Sequence, residues 1–246
     1  MAGHSKWANI KRHKAKMDAM RSNIISKALR EVMLAARHGG GNPDGNFRLK
    51  LAIEKARAAN VALDSINRAI KRGTGELSDG AQVEELTYEG YGPGGTAVLV
   101  EAATDNRNRT AGEIRFIFSK HGGKLGEIGS VSWMFEQKGV IVIEKGNLSE
   151  DDVLALAIEG GAEDVVLEDD SYVVYTAPGD LDSVRKQLEA DGRVVIQSAE
   201  LDQTPKTTVS VEGEDAEKVM RLLEALDDHD DVTKVYSNFD TPEVEA

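Results

Sequence analysis

The sequence predicts an α+β protein: a three-helix N-terminal module plus two αβ domains, one ferredoxin-like and inserted in the other. Three observations carry this. Apolar residues recur at helical spacing over the first 75 positions, and strand-like runs separated by Gly/Pro turns take over after about Glu76. Residues 140–201 spell β-α-β-β-α-β, the order of a ferredoxin-like sandwich. The segments on either side, 80–135 and 207–239, are each an incomplete αβ fragment, and pairing them across the insertion completes one domain. The expected boundaries are 1–79 for a basic helical domain with an N-terminal arm, 80–137 plus 204–240 for the discontinuous domain, 138–203 for the insertion and 241–246 for an acidic tail.

The elements follow in order. From Asp18 to His38, the residues Ile25, Leu29, Val32, Met33 and Ala36 form one apolar stripe, which Gly39-Gly40-Gly41 and Asn42-Pro43 end. A second helix is expected from Asn46 to about Asn60, with Leu49, Ile53, Ala56 and Ala59 inward. Asp64 is expected to cap a third, which Gly73 and Gly75 close. VEELTYEGYG and GTAVLVEAAT read as a hairpin, residues 107–120 as a helix, and SVSWMFEQKGVIVIE as strand, turn, strand. The inserted unit continues with a helix at 150–159, strands at 164–168 and 171–176, a helix from Asp180 to Ala190 and a strand from Arg193 to Leu201. TTVSVEG, a helix at 214–226 and DVTKVYSNF complete the chain.

Charge is unevenly distributed. The chain carries a formal net charge of -13, yet residues 1–75 hold 16 Lys/Arg against 5 Asp/Glu, a net of +11, leaving -24 for the rest. A basic module on an acidic body points to a polyanionic partner, and the acidic body suppresses indiscriminate sticking. With no Cys there is no disulfide framework, thiolate zinc site or Cys nucleophile. No apolar run approaches the roughly 18 residues of a membrane span. The N-terminus has neither a secretory apolar core nor enough apolar positions for an amphipathic presequence, so a cytoplasmic protein is expected.

Enzyme signatures are missing. Gly90, Gly92 and Gly95 formally match G-x-G-x-x-G, but a strand follows where a nucleotide site needs a helix, and Pro93 sits inside, so a hairpin turn is the reading. None of His4, His13, His38, His121 and His229 forms an i, i+4 pair, and HGGKLG lacks the spacing of a phosphate loop. Acidic pairs such as Asp151-Asp152 and Asp227-Asp228 read as caps, turns or solvated faces. No catalytic residue, cofactor, metal or small-molecule substrate is called for.

Nucleic-acid binding needs cations grouped on one surface and something that stacks on or reads bases. The arm HSKWANIKRHKAK supplies Lys6, Lys11, Arg12, Lys14 and Lys16 with no acidic residue, and Asn9 and His13 can add hydrogen bonds. Arg21 follows it, and Lys27, Arg30 and Arg37 fall on one side of the first helix. Arg68, Lys71 and Arg72 crowd the last turn of the third helix, where they either meet phosphate or complement the helix dipole. Trp7 either staples the arm onto the helices or stacks on a base. Arg107 and Arg109, in the cluster Asp105 to Arg109, meet either phosphate or the acidic body, with Asn106 or Asn108 capping the helix.

These segments also carry a resemblance. GHSKWANIK, AARHGGGNPDGNFRLKLAIEKARAANV, INRAIKRGTGE, YEGYGPGG, TDNRNRTAGEIR and GSVSWMFEQKG together resemble the YebC/PmpR family across essentially the whole chain. The resemblance implies a helical domain and two αβ domains, one inserted in the other. It also implies action on nucleic acid, as a DNA-binding transcriptional regulator or, as for the mitochondrial translational activator of cytochrome oxidase, on ribosomes or messenger RNA. The chain departs from the family's wording at Arg12-His13, at Met20 and at Ser237. The expected partner is therefore DNA or ribosomal or messenger RNA, with the ribosome included and membranes excluded. A protein-interaction adaptor, its basic module docked on an acidic protein, is the alternative.

Overall fold

The computed structural model describes residues 6–7, 22–77, 83–168 and 170–241. They form two compact units, one of residues 1–135 with 205–246 and one of residues 136–204.

The first unit opens with α1 (Ser22–Gly39), α2 (Phe47–Ala58) and α3 (Leu63–Gly73). Their apolar stripes meet in one core that includes Val32, Ala36, Leu49, Ala56, Ile66 and Ala69. Asn46 sets the α1–α2 corner. Its side-chain oxygen accepts from Leu49 N–H at 3.1 Å, capping α2, while its amide donates to the carbonyls of Ala35 and Gly40, both at 2.8 Å. Gly40 takes φ 83°, the left-handed turn that ends α1. Ala62, not Asp64, is the N-cap of α3; Asp64 lies in the first turn, where its charge suits the positive end of the helix dipole.

Then come β1 (Glu84–Tyr91), β2 (Ala97–Thr104), α4 (Arg107–Lys120) and β3 (Lys124–Leu125). The GYGPGG turn holds a single 3-10 turn, Pro93–Gly95, and Gly92 N–H donates to the Thr96 carbonyl at 2.8 Å, as a hairpin requires. The unit resumes after the insertion with β8 (Val209–Ser210), α7 (Gly213–Asp227), β9 (Val232–Ser237) and β10 (Phe239–Asp240). The two separated fragments do pair: the sheet order is β3-β1-β2-β9, with Val98 opposite Ser237 and Val100 opposite Val235. Val98 and Val100 pack on one face against Ile114, Phe118, Leu222 and Leu226. Ala97 and Leu99 pack on the other against Val131, Phe135 and Tyr236. DVTKVYSNF is not one strand. It breaks at buried Asn238, whose side-chain oxygen accepts from Ala97 N–H at 2.7 Å, and the chain then turns β10 against β8.

The second unit holds β4 (Phe135–Glu144, which begins at the crossing), α5 (Glu150–Gly160), β5 (Asp164–Glu168), β6 (Ser171–Thr176), α6 (Leu181–Ala190) and β7 (Ile196–Pro205, which ends past it). The order β5-β6-β4-β7 is that of a ferredoxin-like sandwich. Two expectations change here. The strand, turn, strand expected over SVSWMFEQKGVIVIE is a 3-10 turn at Ser132–Met134 followed by one continuous strand, in which Gly139 pairs with Thr176 and a Cβ would lie 2.2 Å from the Thr176 hydroxyl. The last strand begins at Ile196 rather than Arg193, since Arg193 sits in a turn with its guanidinium paired to Asp191 at 2.9 Å.

Two glycines predict opposite outcomes. A Cβ on Gly73 would lie 2.2 Å from the Met33 carbonyl and 2.9 Å from Ala36, so Gly73→Ala should force α1 and α3 apart and cost about 1–3 kcal/mol. Gly112, inside α4, faces open space, and Gly112→Ala should gain about 0.5–1 kcal/mol. Urea unfolding of both variants checks the pair of signs.

Candidate nucleic-acid interface

Of the arm, Asn9, Lys11, Arg12, His13, Lys14 and Lys16 lie outside the described residues, as does Arg21. The described pair is Lys6 and Trp7. Lys6 lines a groove of about 400 Å³ with Met220, Arg221 and Phe239. Trp7 is 1% exposed and sits in the αβ core, in the cluster of Val98, Val100, Val219 and Val235, rather than on the helical module. Its indole N–H donates to the Val235 carbonyl at 2.9 Å. β9 is an edge strand, so this residue meets a carbonyl that no neighbouring strand satisfies. A base has no access to a ring in that position.

The cations of α1 face a partner inside the protein. Lys27 donates to the Asp227 carbonyl and lies 3.7 Å from its carboxylate. Arg30 donates to the Asp230 carbonyl and lies 3.6 Å from the Asp231 carboxylate. Arg37 donates to the Val83 carbonyl, and His38 pairs with Glu85. The side of α1 that reads as a phosphate face is therefore the seam joining the helices to the acidic turn after α7. Asp227 accordingly does more than solvate a helix end.

Asp231 anchors that turn. It is 5% exposed, and one carboxylate oxygen accepts from Arg109 at 2.8 Å, Thr110 at 2.7 Å and Thr104 at 3.1 Å. Burial alone would raise its pKa, but the hydrogen bonds from Arg109, Thr110 and Thr104 together outweigh burial and hold the carboxyl below the usual range. Arg109 also pairs with Asp105 at 3.2 Å and reaches Glu113 at 4.0 Å. Between the two readings of Arg109, the geometry favours the acidic body. Asn106 caps α4, accepting from Arg109 N–H at 3.1 Å.

Glu113, His229 and Asp231 bring one ligand atom each within 4.8 Å of one another. Those atoms are already engaged. His229 Nδ1 accepts from Asp231 N–H at 3.1 Å, which places the proton of the neutral ring on Nε2, 2.9 Å from Glu113. A guanidinium beside Asp231 further disfavours a cation. The groove beside this cluster, about 930 Å³, is lined by Asp105, Glu113, Asp228 and Asp230 as well as Arg30 and Arg109, so its walls repel phosphate.

The outward side of the helical module is different. Arg68, Lys71 and Arg72 are exposed on the face of α3 opposite Ile66 and Ala69. Among the described residues, Arg68 and Lys71 have no carboxylate partner. Lys50 and Arg57 on α2 are exposed as well and were not singled out in the sequence, although their i, i+7 spacing places both on one side of a helix. Arg107, at the first position of α4, is also exposed.

Asp231→Asn removes the charge that holds Arg109 and lies beside Arg30, and should destabilise the protein by about 2–4 kcal/mol at pH 7. Because the folded pKa lies below the unfolded one, this contribution is complete above the unfolded value of about 3.9 and fades as pH falls through the folded value. Urea unfolding at pH 7 and at pH 3 should show the gap between the native chain and the variant narrowing in acid.

Comparison with known proteins agrees with this architecture. Residues 5–76 match the TACO1/YebC protein N-terminal domain and residues 83–239 the TACO1/YebC second and third domain. A protein of Pelotomaculum thermopropionicum named probable transcriptional regulatory protein is 57% identical over 242 residues, covering 98% of this chain and 99% of that one. One of the same name from Moorella thermoacetica is 58% identical over 245 residues, covering 98% and 96%. The crystal structure of the conserved hypothetical protein Aq1575 from Aquifex aeolicus superposes with a TM-score of 0.85 at 49% identity, covering 94% of this chain and 95% of that one. The relatives' names are regulatory, not enzymatic, and no helix among the described residues is long and apolar enough to cross a membrane. The chain belongs to the TACO1/YebC family.

Proposed function

We propose that this protein is a nucleic-acid-binding regulator of gene expression that grips a phosphate backbone with residues 1–79. In this reading residues 80–137 with 204–240 are the body that presents the module, and 138–203 are an inserted ferredoxin-like domain. The observation that carries it is the segregation of charge, +11 over residues 1–75 against -24 over the remainder. The naming of the relatives as probable transcriptional regulatory proteins supports DNA as a target. RNA, including ribosomal RNA, is the other polymer whose backbone the same cations would meet, since structured RNA is recognised largely by shape and phosphate contacts.

The contact surface is the arm, with Lys6, Lys11, Arg12, Lys14 and Lys16, extended by Arg21, by Arg68, Lys71 and Arg72 of α3 and by Lys50 and Arg57 of α2. Asn9 and His13 supply hydrogen bonds, and Arg107 lies at the margin. Lys27, Arg30 and Arg109 already meet carboxylates, so phosphate would compete there with Asp227 and Asp231. Trp7 contributes by anchoring the N-terminal end of the arm in the core.

Replacing Lys11, Arg12, Lys14 and Lys16 together with Ala should weaken binding at fixed salt. The log–log salt slope should fall by about 0.7–0.9 for each phosphate that the arm no longer neutralises. An unchanged slope, on duplex DNA and on structured RNA alike, removes the arm from the interface. Crosslinking in cells with sequencing of both polymers identifies the target. Partners that survive nuclease treatment unchanged would instead favour a protein adaptor.

A further inference from the structure

Two aromatic side chains stand in the open, Trp133 in the loop between β3 and β4 and Tyr91 at the end of β1. Ile128 is 92% exposed, Trp133 63% and Tyr91, at the end of β1, 37%. The Tyr91 hydroxyl donates to the Ser130 carbonyl at 2.8 Å, and the Trp133 indole N–H donates to the same oxygen at 3.1 Å. Both aromatics are therefore satisfied at their polar ends, side by side around one atom, and their rings have no polar demand left to meet.

The loop is held in shape from beneath. Glu89 of β1 is 4% exposed, and its carboxylate accepts three backbone N–H groups, from Gly129 at 2.8 Å and from Val131 and Ser132 at 2.7 Å each. Burial would raise its pKa, but these hydrogen bonds together prevail and keep it low, so the carboxylate stays charged at neutral pH. Val131 is fully buried, and Gly126 N–H donates to the Glu89 carbonyl at 2.7 Å. Such a scaffold costs little ordering entropy when a ligand arrives. Its cations are Lys206, whose ammonium donates to the Trp133 carbonyl at 2.9 Å, and exposed Lys124, opposite Tyr91 in the β1–β3 register. The loop itself carries one carboxylate, exposed Glu127.

We infer that Trp133 and Tyr91 form a stacking platform for unpaired bases of a single-stranded nucleic acid, with Lys124 and Lys206 neutralising the adjoining phosphates. Exposed rings at a rigid loop with flanking lysines are the chemistry by which single strands are held without a sequence code. The inference rests on the nucleic-acid reading above but adds a base-stacking surface on the αβ body, apart from the cations of the helical module.

The test measures fluorescence anisotropy of labelled rA12 and dA12 and of an abasic oligomer of the same length and charge, with the full chain. Trp133→Ala should lower affinity for the base-bearing oligomers roughly 5- to 100-fold and leave the abasic one unchanged. Trp133→Phe, which keeps a ring, should retain most of the affinity and so separates stacking from a folding defect. Glu127→Gln should tighten binding. Equal affinity of the native chain for base-bearing and abasic oligomers, or no loss in Trp133→Ala, overturns the platform while leaving phosphate binding by the basic module intact. Failure of the native chain to bind any of the three, or duplex DNA and structured RNA besides, overturns both readings.

Discussion

The carboxylate of Asp231 adds a polar tie between parts of the chain that the sheet and the apolar core already bring together. It follows the acidic end of α7, opens β9, receives Thr104 from the end of β2 and Thr110 and Arg109 from α4, and lies beside Arg30 of α1. Its backbone carbonyl also receives Ala103 N–H at 2.8 Å. A buried carboxylate is tolerable only when its lone pairs are filled and an opposite charge is near. Here the requirement is met by groups from separate elements, so one acid links the sheet, its covering helix and the helical module.

That constraint changes how the charge asymmetry works. An acidic body beside a basic module would at first sight only keep nonspecific polyanions away. In this fold part of the acid is turned inward on the base: Asp227 and Asp231 neutralise Lys27 and Arg30 along one side of α1. Arg68 and Lys71 of α3 remain exposed, outside that seam. The seam also covers the outer edge of β9, whose Val235 carbonyl is capped by Trp7. An edge strand left bare would invite pairing with another chain. One set of contacts thus hides an edge, joins the module to the body and selects which cations face outward.

Much of this was readable from local chemistry. Asn46 before FRLKLAIEKARA, Asn106 before RNRTAGEIRFIFSK and Ser149 before EDDVLALAIEG each cap the helix that follows, and a cap needs only neighbours three residues away. The strands at 164–168 and 171–176 and the GYGPGG hairpin were legible for the same reason. The unbroken strand through Gly139 was not legible, because a glycine in a strand looks the same whether it makes a turn or makes room, and the groups it makes room for, Thr176 and Leu181, lie about forty residues away. The carboxylate partner of Arg30 was not legible, whereas pairing with the acidic body was one of the two readings open for Arg109. Their carboxylate is 201 and 122 positions downstream, and no pattern in the neighbourhood of either cation announces it. Charge was legible as composition, whereas its pairing depends on the tertiary fold.

The two tryptophans show the same principle at the level of a single group. Trp7 stands among lysines in a polar arm, the context in which a stacking residue is expected, yet its indole N–H finds a carbonyl 228 residues away and the ring is sealed in the core. Trp133 stands before an apolar strand, the context of a core residue, yet its N–H is satisfied three residues back and the ring remains outside. An aromatic ring with a polar tip must place that tip before it can place its face. When the acceptor is distant in sequence, satisfying it draws the ring into the tertiary contacts that brought the acceptor close. When the acceptor is within the same turn, the tip is satisfied without any burial, and whether the ring is covered depends on what the loop packs against. Here Glu89 fixes that loop chiefly through three backbone N–H groups and the buried Val131 supplies the apolar anchor, so the loop does not need the Trp133 ring to be buried. The exposed indole is thus a consequence of how the loop is supported rather than a defect of packing.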